Sequence, residues 1–231
     1  MDSSGSIIAD QLDPHKYFEF IGESVQKSSY LKSPYYIPLG LPGGMYRVGP
    51  LARLNVCERM GVPNADAELK TFKSMGRGAV ISSFLYHYAR LIEILAAVEH
   101  IERYLDDAEL SSDLLRADAG INSLRGIGAS EAPRGTLFHD YTVDRDGILM
   151  KVNLIIATGQ NNLAMNRTVA QIARHYVRGT EIPEPILNRI EHGIRCYDPC
   201  LSCSTHAIGQ MPLHIQLVAP DGQVLNELAR G

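Results

Sequence analysis

The residues best suited to chemistry in this chain are sulfurs. Of the four cysteines, Cys57, Cys196, Cys200 and Cys203, three fall within eight positions near the C-terminus. They lie in the segment Arg195-Cys196-Tyr197-Asp198-Pro199-Cys200-Leu201-Ser202-Cys203-Ser204-Thr205-His206. Two thiols separated by two residues can grip one metal within a single turn of chain. The imidazole of His206, three residues further on, adds a borderline donor. Soft thiolates select nickel, iron, zinc or copper over calcium or magnesium. A cluster of this kind in a reducing compartment reads as metal-binding or redox-active rather than as a covalent staple.

Spacing alone leaves the metal open. Cys196-x3-Cys200-x2-Cys203 is the spacing that holds an iron–sulfur cluster in radical enzymes using S-adenosylmethionine. There the motif sits early, at the mouth of a βα barrel, whereas here it lies 28 residues from the end of a helix-rich chain. A local Cys-Cys-Cys-His set could instead close around zinc as a purely structural site.

The elements that must carry these residues can be read from pattern. Asp13-Pro14 supplies a capping acceptor and a first-turn proline, predicting a helix to about Tyr30. Residues 31–50, rich in Pro, Gly and Tyr, read as loop with one short strand. Short helices are expected over 51–60 and 64–73, separated by Pro63 and Asn64. Ala79–Asp107 is the clearest element. Phe84, Tyr88, Leu91, Leu95, Val98, Ile101 and Leu105 recur at spacings of three and four, one apolar stripe on a long helix that should be core. Its other face carries Arg90, Glu93, Glu99, Glu102 and Arg103. A polar-capped helix is expected over Ser111–Ala117. The runs TLFHDYTV and ILMKVNLIIAT flank Asp144-Arg145-Asp146-Gly147, a hairpin signal. Helices then follow from about Asn161 to Val177, stopped by Gly179, and from near Pro183 to before Tyr197. LHIQLVA-PDG-QVLNEL predicts a last hairpin. The fold class expected is mainly α with a small β element (α+β), not an alternating βαβ chain.

Composition narrows the partners. The chain has 231 residues, 45% hydrophobic and 21% charged, with a formal charge of −4. This is an ordinary globular composition, and no nucleic-acid partner is expected. No apolar stretch is long enough to cross a bilayer. MDSSGSIIADQLD lacks the basic region and apolar core of a signal peptide, so a cytoplasmic location is expected.

The extended motif DPCLSCSTH, followed by a short tail beginning with Ala207, resembles the distal metal-binding motif of nickel–iron hydrogenase large subunits. Other segments agree in order. Glu131-Ala132-Pro133-Arg134-Gly135-Thr136-Leu137, with His139 and Tyr141 after it, resembles the family's EAPRG block. Asn153–Thr158 and Asn161-Asn162-Leu163 resemble the next block. GPLARLNVCERMG and YARLIEILAAVEHIERYLDD resemble upstream segments. The wording is most like the cytoplasmic, bidirectional, NAD-linked group, and the resemblance covers essentially the whole chain, most sharply residues 127–210. It implies the C-terminal portion of a long-helix bundle of the large-subunit type, incomplete in this chain.

The resemblance implies roles residue by residue. In the family, four cysteine thiolates hold a nickel, two of them bridging to an iron that carries carbon monoxide and cyanide. Cys200 matches the terminal nickel ligand and proton acceptor, and Cys203 the bridging ligand. With the metal as Lewis acid and the thiolate as base, hydrogen is split heterolytically. Arg134 matches an arginine poised over the metals, charged at any working pH. Asp198 matches the carboxylate that orients it. Thr158 aligns with a hydroxyl near cyanide, and Pro133 with a residue packed against carbon monoxide. His206 matches a magnesium ligand, with the Leu154 carbonyl beside it. Residues 207–231 resemble an extension that a maturation peptidase removes.

The family's other thiolate pair comes from an N-terminal R-x-C-G-x-C segment that this sequence lacks. The implied partners are therefore an N-terminal half of the large subunit, NAD-reducing diaphorase subunits and an iron–sulfur small subunit, with the chain inactive alone. Part of an apolar helix face should be left exposed. The alternative is a non-catalytic zinc or iron–sulfur module. His139 is expected to pack rather than ligate, His87 and His100 to sit at surface or core edge, and Cys57 to pack as a small hydrophobe. Cys196 matches no required family position.

Overall fold

The structure, a computed structural model, describes residues 1–27, 29–116, 120, 122–200 and 213–230. Cys203 and His206 lie outside the described residues. The architecture is α+β, with more strand than expected: three sheets among the described residues, the two later ones antiparallel. The chain divides into two compact units. The first comprises Met1–Ile21 with Arg47–Ala157, and the second Gly22–Tyr46 with Thr158–Gly231.

In the first unit, α1 (Tyr17–Phe20) is only one turn long. The helix predicted to Tyr30 is wrong: β1 (Ile21–Gln26) and β2 (Ser29–Tyr36), which extend into the second unit, replace it. The β-branched Ile21 and Val25 and the aromatic-rich run after Ser29 favour the pleated conformation, and Pro34 would break a helix continued that far. Two short helices follow, α2 (Pro50–Val56) and α3 (Pro63–Ser74), each opening on proline at the first helical position. Pro63 thus starts the helix rather than separating two.

The long helix α4 spans Leu85–Leu105, not 79–107. Residue 80 is held out of it because the Asn55 side chain pairs with both its backbone groups: Asn55 Nδ2 donates to the Val80 carbonyl at 2.9 Å and Val80 N–H donates to Asn55 Oδ1 at 2.7 Å. α4 also packs by the opposite face from the one expected. Tyr86, Ala89, Ile92 and Ala96 are buried against α2 and α3, while Phe84, Leu91, Val98, Ile101 and Leu105 are exposed. The small residues on the buried face let the helices approach closely. The acids expected in solvent are used there too: Glu99 accepts from the N–H groups of Asn64 (3.1 Å) and Ala65 (3.0 Å), capping α3 where its dipole favours negative charge. The helix expected over Ser111–Ala117 is absent from residues 112–116, which follow a 3-10 turn over Ala108–Ser111 started by the Asp107 side chain.

The sheet β3 (Arg125–Ala132), β4 (Gly135–Val143) and β5 (Leu149–Ile155) completes this unit. The expected Asp144 turn joins β4 to β5, with Asp144 Oδ1 accepting from the N–H groups of Asp146 and Ile148 at 2.9 Å each. Strand β3 carries little sequence signal in RGIGASEA. Its register sets Arg125 diagonal to the buried Asp140, which accepts from Arg125 Nε at 2.9 Å and Nη2 at 2.8 Å and from the Tyr17 hydroxyl at 3.0 Å.

In the second unit, the one-turn helix α5 (Ala157–Gln160), which begins at the junction, leads into α6 (Asn162–Tyr176), and α7 (Glu184–Arg195) packs on α6. The hairpin β6 (Leu213–Val218) and β7 (Val224–Arg230) is as expected. Its alternate residues Ile215, Leu217 and Leu228 pack on the core formed by Ile182, Ile186 and Ile190. Among the described residues no helix is long and apolar enough to cross a membrane.

Candidate metal centre

The thiol-bearing segment leaves α7 through a locked turn. Successive N–H groups of Cys196, Tyr197 and Asp198 donate to the carbonyls of His192 (3.1 Å), Ile194 (3.1 Å) and Arg195 (3.0 Å), satisfying carbonyls that the helix end would orphan. Asp198 adopts a left-handed backbone with φ of 49°. Pro199 disfavours the right-handed helix at the residue before it, and aspartate tolerates the left-handed region better than most side chains. The buried Tyr197 ring anchors the turn to α6. Its hydroxyl hydrogen-bonds Thr168 Oγ1 at 2.8 Å and donates to the Ala164 carbonyl at 3.2 Å. The chain thus emerges with Asp198, Pro199 and Cys200 half-buried.

Cys200 and Thr158, 42 positions apart, are brought together. The Cys200 N–H donates to Thr158 Oγ1 at 3.3 Å, and Thr158 itself is buried. The Thr158 oxygen acts as acceptor, which leaves its hydroxyl proton to be donated elsewhere. The floor beside it is polar and buried: Tyr46 donates to Gln160 Oε1 at 2.8 Å, and burial pushes the Tyr46 phenol well above its usual range. In this structure Cys200 is disulfide-bonded; once reduced, a thiolate presented in this setting has the soft-donor chemistry that suits nickel or iron. Cys196, by contrast, is fully buried and its thiol donates to the His192 carbonyl at 3.2 Å. Cys57 packs in the first unit against Leu54 and Met60, and burial raises its thiol.

Pro133 and Arg134 form the two-residue turn between β3 and β4, in the first unit. Pro133 is exposed and Arg134 half-buried. Two glycines let the backbone close on this turn. Gly49 has φ of 90°, and a Cβ there would stand 2.8 Å from the Arg134 carbonyl oxygen. A Cβ on Gly135, with φ of 141°, would meet Val48 Cγ2 at 2.2 Å. Sequence reasoning missed the side chain that grips the turn one helical turn further along α2. Arg53 on α2 donates through Nε and Nη2 to Glu93 (2.7 and 2.8 Å), and through Nη1 to Glu131 (2.8 Å). It also donates to the carbonyls of Ala132 (2.9 Å) and Pro133 (3.0 Å). Burial acts to lower the Arg53 pKa, and the bonded carboxylates of Glu93 and Glu131 more than offset this. Leu154 lies on β5 opposite His139, whose Nδ1 meets the Tyr141 hydroxyl at 2.5 Å.

Comparison with known proteins places the chain. A family model described as nickel-dependent hydrogenase matches residues 7–206. The NAD-reducing hydrogenase HoxS subunit beta of Cupriavidus necator is 43% identical over 227 residues, covering 96% of this chain and 46% of that protein. An F420-non-reducing hydrogenase chain of Methanothermobacter thermautotrophicus is 42% identical over 213 residues, covering 90% and 44%. The solved NAD+-reducing NiFe hydrogenase in the H2-reduced state superposes with a TM-score of 0.80 at 44% identity, over 86% of this chain and 44% of that one. The reduced Ni-Fe-Se hydrogenase of D. vulgaris Hildenborough gives 0.56 at 27% identity, over 78% and 39%. The chain therefore spans about half the length of the relatives it matches. From residue 7 to residue 206, covering both the Arg134 turn and the Cys200 segment, this chain belongs to the nickel-dependent hydrogenase family.

Proposed function

We propose that this chain is the C-terminal half of the catalytic subunit of an NAD-linked nickel–iron hydrogenase, and that Cys200 and Cys203 supply two of its four metal-binding thiolates. The observation that carries this is the presentation of Cys200: an anchored turn after α7 delivers it half-buried, with its N–H tied to the Thr158 hydroxyl. When bound, a nickel–iron group with carbon monoxide and cyanide on the iron supplies Lewis acidity and the site at which hydrogen is split. The chain's own residues then divide the remaining work. Cys200 Sγ holds the proton released by heterolysis. Arg134 offers fixed positive charge and N–H donors toward cyanide, and Asp198 orients its guanidinium. The Thr158 hydroxyl proton is donated toward the second cyanide. Pro133 excludes water beside carbon monoxide. His206 and the Leu154 carbonyl hold a magnesium ion.

The half-length match and the exposed face of α4 support the rest of the assignment. An N-terminal half carrying the other thiolate pair covers that face. NAD-reducing diaphorase subunits together with an iron–sulfur small subunit complete a cytoplasmic complex. Residues 207–231 are a maturation extension cut by a peptidase, and the chain is inactive on its own.

The test is replacement of both Cys200 and Cys203 by serine in the assembled complex. Nickel content should fall to background, and the infrared bands of carbon monoxide and cyanide should vanish. Undiminished nickel uptake would refute the proposal. Stoichiometric zinc in the unaltered protein, without those bands, would support a structural zinc module instead.

A further inference from the structure

We propose that Arg53 is a positioning residue that fixes the Pro133–Arg134 turn, and through it the Arg134 guanidinium, for work at the metal centre; this rests on the role given to Arg134 above. A guanidinium has five N–H donors in a rigid planar fork. Arg53 places them on five acceptors: both oxygens of Glu93, one oxygen of Glu131, and the carbonyls of Ala132 and Pro133. The two carbonyls belong to the residues immediately before Arg134, and Glu93 ties the assembly to α4, the longest helix of its unit.

An ion pair whose only task was to join α2 to α4 would not need the turn's backbone. Arg53 instead commits two donors to it, while Gly49 and Val48 close on Arg134 and Gly135 from the α2 side. The turn is thus held through its main chain at two points by α2 and the residues that lead into it. Charge supports the same reading. Glu93 and Glu131 converge on Arg53, so without it two carboxylates would repel one another directly under the turn. Lysine could neutralise that charge but has three donors on a point charge and cannot reproduce the fork.

The experiment compares R53K, R134K and the double variant in the assembled, nickel-loaded complex, reading nickel content, the infrared positions of the cyanide bands, and kcat against KM for hydrogen. R53K should keep wild-type nickel content, shift the cyanide bands and lower kcat at least tenfold with KM little changed. In the R134K background the same change should have no further effect, because Arg53 acts through Arg134. Additive effects in the double variant, or R53K bands and kcat equal to wild type, overturn the proposal. R134K bands and kcat equal to wild type would overturn the role of Arg134 itself, which is a separate result. If R53K does not assemble, E93Q, which removes one arm of the clamp, carries the same readings. If neither assembles with wild-type nickel, Arg53 serves folding alone and the proposal is wrong.

Discussion

Gly49→Ala offers a direct measure of how tightly the Arg134 turn is held. The backbone at Gly49 has φ of 90° and ψ of −163°, a region that side chains other than glycine rarely enter. Gly40 is a natural control, with φ of 58° and ψ of −169° but nothing within 4 Å of an added Cβ. Alanine at Gly40 should therefore cost only the backbone strain, about 1–3 kcal/mol. At Gly49 the same strain applies, and the new methyl also stands 2.8 Å from the Arg134 carbonyl oxygen and 3.2 Å from its carbon. Those are backbone atoms of the residue that follows the Ala132 and Pro133 carbonyls held by Arg53, so they cannot swing aside as the end of a flexible side chain would. Overpacking of this kind adds about 1–3 kcal/mol. Urea unfolding of the two variants, followed by circular dichroism, should place G49A below G40A by that margin. A gap of about 1.4 kcal/mol is tenfold in the folding equilibrium. Equal destabilisation of the two would refute the close approach and, with it, the account of how the turn is fixed.

Two further outcomes follow from the first unit. The Arg125 guanidinium and then the Tyr17 hydroxyl hold the Asp140 carboxyl below the usual carboxylate range against the opposing effect of burial. A depressed folded-state pKa contributes stability that is present above the unfolded value and lost as pH falls through the folded one. Asp140→Asn should therefore flatten the acid limb of the stability–pH curve below about pH 4, by at most about 1.4 kcal/mol per pH unit, and leave the slope at neutral pH unchanged; superimposable acid limbs would refute this. Leu91→Glu with Val98→Glu should leave the unfolding free energy of the chain within about 0.5 kcal/mol of wild type, as exposed substitutions do, while reducing self-association by light scattering. A loss of several kcal/mol would mean that this stripe is core after all.

What the sequence made legible depended on whether a signal was local. The Asp144 hairpin, α6, α7 and the last hairpin follow from turn residues and period, and all stand where expected. The stretch 17–36 was misread because a good helix start at Asp13-Pro14 says nothing about where the chain turns to strand. On α4 the period was right and the facing wrong. The apolar period marks one stripe as core, but burial within this chain goes to Tyr86, Ala89, Ile92 and Ala96, where the two alanines allow close helix contact and Tyr86 donates to the Val48 carbonyl at 2.9 Å. Phe84, Leu91, Val98, Ile101 and Leu105 of the expected stripe are exposed among the described residues. At the site, the DPC segment could be picked out from its own letters. The bond from Cys200 to Thr158 joins positions 42 apart, and the Arg53 clamp joins α2 to residues 40 and 78 positions away, so neither has a local signature. Arg53 in a seven-residue helix and Glu93 on an apparently solvated face each looked ordinary until the fold put them together.

The terminal hairpin has a consequence for any enzyme that cuts ahead of it. Ile215, Leu217 and Leu228 are set into the α6–α7 core, and Asn226 Nδ2 donates to the Thr180 carbonyl at 3.0 Å. Scission between α7 and β6 would break the peptide chain without touching any of those contacts. The severed piece would begin as a bound peptide whose departure follows dilution rather than the cut itself, because a tether worth millimolar effective concentration has been lost. Proteolysis and release are therefore two events with separate clocks, the first set by the protease and the second by how fast three apolar side chains let go.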